Sequence, residues 1–187
     1  MSAAVPLASA AAGDARALGE ADASIDAVLM FGPLYHLQDS QERLVALREA
    51  RRVLRPGGVL LASALSRLYP VFEAIAADDT DPAEAEAEFL SAGRYRNPSG
   101  DPRLFTTSYF HRPDELADEV RQAGFVLRRL AAGSGALKLL VPDLGERLDD
   151  PAQAARLLDL MRLVEAEPSL LGMSQNFVAI ATKPGRP

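Results

Sequence analysis

Two apolar runs decide the fold: Ile25-Asp26-Ala27-Val28-Leu29-Met30-Phe31-Gly32-Pro33-Leu34-Tyr35-His36-Leu37, and then Arg51-Arg52-Val53-Leu54-Arg55-Pro56-Gly57-Gly58-Val59-Leu60-Leu61-Ala62-Ser63. Ser24 to Phe31 reads as a buried strand stopped by Gly32-Pro33. Asp39-Ser40-Gln41-Glu42 is a capping-box pattern and predicts a helix start. Leu44, Leu47, Ala50 and Leu54 then recur at helical spacing on one face. Arg51, Arg52 and Arg55 crowd the last turn, where cations suit the helix dipole. Pro56-Gly57-Gly58 turns the chain into a second strand, Val59 to Ala64. Together these make one βαβ unit, with a polar loop at the carboxyl end of its first strand. Open α/β sheets bind ligands at that end.

Further along, Leu65 to Ser108 carries no strong strand pattern. Asp81-Pro82-Ala83-Glu84 predicts a helix that Gly93 stops, and Tyr95 to Thr106 reads as a loop. Pro113 begins a helix with Leu116, Val120 and Ala123 inward and Gly124 at its end. Phe125 to Leu130 reads as a strand. Asp150-Pro151-Ala152-Gln153 caps a final helix carrying Leu157, Leu158, Met161 and Val164, and Phe177 to Thr182 is the last strand.

Composition narrows the function. The 187 residues suffice for one domain with an ordinary core, and the apolar fraction of 48% fits a globular protein. A net charge of -6 with scattered charges argues against a general nucleic-acid binder, which shows a basic face. With no cysteine there is no disulfide, thiol nucleophile or Cys-type zinc site. Lysine appears only at Lys138 and Lys183, which fits a compositional bias toward arginine. No run approaches the ~20 apolar residues of a membrane span. The start, Ala-rich and without a basic region, reads as a flexible leader rather than a secretory signal, and the expected location is cytoplasmic.

The segments quoted above resemble, in order and spacing, the middle of a class I S-adenosylmethionine-dependent methyltransferase. Gly13-Asp14-Ala15-Arg16-Ala17-Leu18 is similar to the adenine-contacting segment, Ile25 to Phe31 to the fourth strand, and Arg52 to Gly58 to the turn before the fifth. Phe105-Thr106-Thr107-Ser108-Tyr109-Phe110-His111 and Glu167-Pro168-Ser169-Leu170-Leu171-Gly172 resemble a subgroup acting on small molecules. The resemblance implies a Rossmann-like α/β fold, mostly parallel with an antiparallel last strand, in the order 4-5-7-6. It implies methyl transfer from S-adenosylmethionine to a small-molecule acceptor. No G-x-G-x-x-G occurs; Gly133-Ser134-Gly135 is the nearest run and follows the wrong strand. The expected organisation is a leader over 1–12, a methyltransferase domain lacking its N-terminal Gly-rich third over 13–183, and a loose tail over 184–187. The stretch 65–110 forms an insert suited to covering the substrate.

The resemblance assigns Asp14 and Ala15, with Phe31 and Gly32, to the cofactor, and Tyr35 and His36 to catalysis. Arg67, Tyr109 and His111 become substrate contacts. Each has a plainer alternative: a turn residue for Asp14, core packing for Phe31 and Leu34, surface exposure for Arg67, and capping or exposure for His111. Near the C-terminus, Asn176 stands where the subgroup tends to carry a histidine. A metal site from the two histidines lacks any spacing signature, and no G-x-S-x-G marks a serine nucleophile. A non-catalytic remnant serving as an interaction module is the second reading. The strand 24–31, without its family neighbour, is expected to offer an edge for self-association.

Overall fold

The structure is a computed structural model that describes residues 7–77, 83, 86–97, 106–141 and 143–185. Of the sequence readings, the helix start at Asp81, Pro82 and Glu84 lies outside these residues, as does Phe105.

Strand β1, Ile25–Met30, leads through the short helix α1, Pro33–His36, into helix α2, Ser40–Val53. Asp39 caps α2 by accepting from the Gln41 amide at 2.7 Å. The other half of the expected capping box is not made, because Glu42 pairs with Arg16 instead. Leu44, Leu47 and Ala50 are buried beneath the sheet as the periodicity requires. Strand β2, Leu54–Ser66, runs parallel to β1. The register jumps from Ile25↔Leu54 to Ala27↔Val59. Arg55-Pro56-Gly57-Gly58 therefore bulges out of the ladder where the sequence reads a tight turn.

Helix α3, Tyr69–Ala77, was not legible in the sequence. A π-helical turn, Glu86–Ser91, precedes two short antiparallel strands, β3, Arg94–Tyr95, and β4, Ser108–His111. Helix α4, Pro113–Gln122, turns its Leu116, Ala117 and Val120 into the core. Strand β5, Val126–Ala132, follows, then the short helices α5, Leu137–Leu140, and α6, Leu144–Asp149. Helix α7, Pro151–Arg162, is capped by the Asp150 carboxylate, and β6, Asn176–Thr182, closes the sheet.

β1 and β2 are parallel, β6 lies antiparallel to β2, and β5 pairs on the far side of β6. That is the expected 4-5-7-6 order and the expected antiparallel last strand. The short β4 pairs parallel to β2 at Leu65 and Ser66, just beyond the reach of β1. The core lies between this sheet and α2 and α4, around Leu34, Leu47, Leu60, Leu116 and Phe177. α7 differs from its apolar pattern. It lies largely on the surface, with Leu158 53% exposed, while Met161 packs against Gly135.

Candidate functional site

The carboxyl ends of β1 and β2 and the amino end of the antiparallel β6 meet at one rim of the sheet. Leu65 is the centre of that rim, with Phe110 of β4 beside it on one edge and Asn176 of β6 on the other. Two cavities open there. One, of about 340 Å³, is lined by Phe31, Tyr35, Ser63, Leu65, Gln175, Asn176 and Val178. Its neighbour, of about 280 Å³, is lined by Leu65, Tyr69, Pro70, Glu73, Phe89, Tyr95, Phe110 and Gln175. The two share Leu65 and Gln175 and lie side by side at the rim.

Gly32 sets the loop that enters the first cavity. Its φ of +155° with ψ of -56° suits glycine, and the Tyr35 hydroxyl folds back over it. The sequence alternatives for Phe31 and Leu34 separate here. Leu34 is fully buried in the core, whereas Phe31 is 55% exposed at the cavity wall. Tyr35 lines the cavity. His36 does not; it is exposed, in ring contact with Tyr35 at 4.6 Å. Asn176 donates to the Ser63 hydroxyl at 3.3 Å, so the position flagged for its missing histidine faces this cavity.

Asp14 sits in a turn in which the Ala17 amide donates to the Asp14 carbonyl at 3.0 Å. Its carboxylate accepts from the Arg16 amide, Nε and Nη2. These bonds from Arg16 hold the carboxyl down at about 2. Asp14 is thus ionised and acceptor-only, as an adenine amino contact requires, and also a turn residue. The loop is tied to α2 through Arg16 to Glu42 and through the Leu18 amide to Glu49.

Arg67, Tyr109 and His111 come together, but away from both cavities. Arg67 is 5% exposed, donating to the Phe110 carbonyl, the Tyr109 hydroxyl and Glu115, the last at 2.6 Å. Arg43 lies with its guanidinium 3.7 Å over the Tyr109 ring and pairs with Glu119 at 2.8 Å. His111 is fully buried, with Nε2 3.2 Å from Glu119. The surface readings of Arg67 and His111 are corrected: both are internal, because each has an acidic partner on α4 to offset desolvation. Burial pushes the His111 imidazole below its ordinary range, against the opposing pull of Glu119. Burial alone raises Glu119, but hydrogen bonds from His111 and Arg43 outweigh it and hold the carboxyl below its usual range. The Arg67–Glu115 and Arg43–Glu119 pairs, with Tyr109 and His111 between them, clamp α2, β4 and α4 together, and His111 Nδ1 has no partner among the described residues.

Sequence reasoning missed most of the cavity wall: Tyr69, Glu73, Phe89, Phe110, Ser63 and Gln175. Their only shared signal is proximity to the ends of β2, β4 and β6, which needs the sheet order to be seen. Among the described residues no cluster of histidine, aspartate and glutamate is arranged to hold a metal ion. No described helix is long and apolar enough to cross a membrane.

The fold is the Rossmann-like fold of class I methyltransferases. The methyltransferase domain family matches residues 2–62, about a third of the chain. No curated protein matches the sequence. Among solved structures, a S-adenosylmethionine-dependent methyltransferase from Methanosarcina mazei superposes with a TM-score of 0.55 at 17% identity, covering 93% of this chain and 66% of its own. A S-adenosylmethionine-dependent methyltransferase from Mesorhizobium loti gives 0.53 at 14% identity, covering 91% of this chain and 68% of its own. The chain thus spans about two thirds of the length of the structures it matches. By fold, and by the family match over its first third, the chain resembles the class I S-adenosylmethionine-dependent methyltransferases.

Proposed function

We propose that this chain carries the acceptor half of a methyl-transfer site, working on a small molecule with S-adenosylmethionine as donor. The observation that carries the reading is the pair of neighbouring cavities at the carboxyl ends of β1 and β2, which share Leu65 and Gln175. The residues present fit one end of the donor. Phe31 offers an aromatic face near the loop, suited to a sulfonium cation. Gly32 allows close backbone approach, and Asp14 with Ala15 supplies the acceptor for adenine. When bound, the cofactor supplies a methyl group on a positively charged sulfur. The work of the chain is then to hold the acceptor in line and keep water away, which can account for much of the rate. Tyr35 meets the acceptor at the cavity wall, and the exposed His36 behind it takes up the released proton. Arg67, Tyr109 and His111 line neither cavity and have no part in this reading.

Titration calorimetry with S-adenosylhomocysteine tests it. The expected result is binding in the millimolar range, weakened further by Asp14→Ala and left nearly unchanged by His36→Ala. The weakness follows from having few charged anchors, each worth about 1.5–3 kcal/mol. Saturation by micromolar ligand overturns the claim that contacts beyond these residues matter. Absence of any binding favours the second reading, a non-catalytic interaction module. The observation behind that reading is the outer edge of β1, which has no strand against it among the described residues.

A further inference from the structure

The second cavity has a composition that the methyl-transfer reading does not use. Four of its walls are aromatic: Tyr69, Phe89, Tyr95 and Phe110. Phe89 and Tyr95 lie parallel with centroids 6.1 Å apart, and Phe89 meets Phe110 edge-on at 5.5 Å. Three chain segments therefore build one rigid apolar slot. Its volume of about 280 Å³ lies near the lower end of the ~300–1,000 Å³ usual for small-molecule pockets. Among the described residues, the one carboxylate in the wall is Glu73.

Tyr69 is 2% exposed, and its shielded hydroxyl makes no hydrogen bond among the described residues. Burial and the neighbouring Glu73 push its ionisation up to about 12, so it stays a neutral hydroxyl. The same corner attracts cations. The Lys138 ammonium of α5 lies 3.4 Å from Glu73 and 5.7 Å from the Tyr69 ring centre. Lys138 is not part of the cavity wall; it approaches the pair from the solvent side.

We propose that the aromatic cavity binds a flat aryl-alkyl amine, with its ammonium anchored at Glu73 beside the Tyr69 ring and its ring held among Phe89, Tyr95 and Phe110. Glu73 borders this cavity alone, whereas Leu65 and Gln175 border both. The ammonium is therefore the anchor, and the end of the ring remote from it is what reaches the donor side. Lys138 is a built-in competitor for the same carboxylate. The inference rests on the reading of the neighbouring cavity as the donor side only for that orientation. Binding of the amine itself does not depend on it.

The test uses the full chain without cofactor and tyramine as the probe, with 3-(4-hydroxyphenyl)propionate as the anionic analogue of equal shape. Affinities come from NMR titration. Tyramine should bind, and the propionate should bind at least about tenfold more weakly, as expected for a charge reversed beside a carboxylate and aromatic faces. Glu73→Gln should weaken tyramine about fivefold, and Lys138→Met should strengthen it about twofold, the scale of half-exposed charge pairs. Circular dichroism confirms that both variants are folded. Equal binding of the two probes, no binding of either, or indifference to both substitutions overturns the inference. Tyramine binding without any binding of S-adenosylhomocysteine leaves the inference standing and removes the donor-side reading alone.

Discussion

The buried clamp between α2 and α4 invites one decisive substitution. Glu119 is 8% exposed and accepts from Arg43 Nε at 2.9 Å through one oxygen, while its other oxygen faces His111. In Glu119→Leu, both bonds go. Arg43, 2% exposed, keeps its Leu37 and Gln38 carbonyl acceptors and the Tyr109 ring, but its charge loses its only anionic partner among the described residues. Removing one member of a buried pair costs about 3–5 kcal/mol, because the remaining charge stays desolvated. Against the total of about 5–15 kcal/mol usual for a domain, that is a large share. With a urea dependence of roughly 2 kcal/mol per molar, the unfolding midpoint should fall by about 1.5–2.5 M. Glu119→Gln, which keeps an oxygen acceptor, should lose less. The double variant Arg43→Leu/Glu119→Leu should recover most of the loss, since no lone charge is left inside. Urea titration followed by circular dichroism reads all three. A single-variant loss under about 1 kcal/mol, or a double variant no better than Glu119→Leu, refutes the claim that this pair is desolvated and coupled.

Two further outcomes follow from the same structure. His111 is held below its ordinary range in the folded state, so the unfolded chain binds more protons just below the unfolded value near 6.5. Stability should therefore fall as pH drops from about 6.5, by at most about 1.4 kcal/mol per pH unit for one proton, and His111→Gln should flatten that part of the profile in thermal melts. The lowered Glu119 adds a second loss once pH falls below its ordinary 4.5. On the same sheet, β1 exposes Leu29 at 65%, and its outer edge has no strand against it among the described residues. Sedimentation should find self-association at tens of micromolar that Leu29→Lys reduces, and a clean monomer for the unaltered chain counts against the edge argument.

Elements with local signals were legible in the sequence. Asp39 and Asp150 cap their helices as read, Pro113 starts α4, and the 4-5-7-6 order follows once the segments are aligned with a known fold. These succeed because caps, turns and periodicity are set by residues within a few positions of each other. Where reading failed, the competing partner was distant. Glu42 left its capping box for Arg16, and α7 leaves Leu158 of its apolar pattern exposed. Tyr35 could be tied to a cavity from sequence because it follows a strand end. Its companions Gln175 and Val178 could not, because no local pattern distinguishes a wall residue from any other strand residue.

The sequence by itself determined the βαβ unit, the acidic and cysteine-free character, and the loop from Phe31 to His36 as the place to look. Only the tertiary structure decided that Arg43 would be buried with Glu119, 76 residues away. It alone decided that Arg67 and His111 would serve the clamp, and that Tyr69, Glu73 and Phe89 would share a cavity with Gln175. The physical reason is the same in each case. Burial and ion pairing depend on which surfaces the sheet order presses together, and that is a property of the whole chain rather than of any window along it.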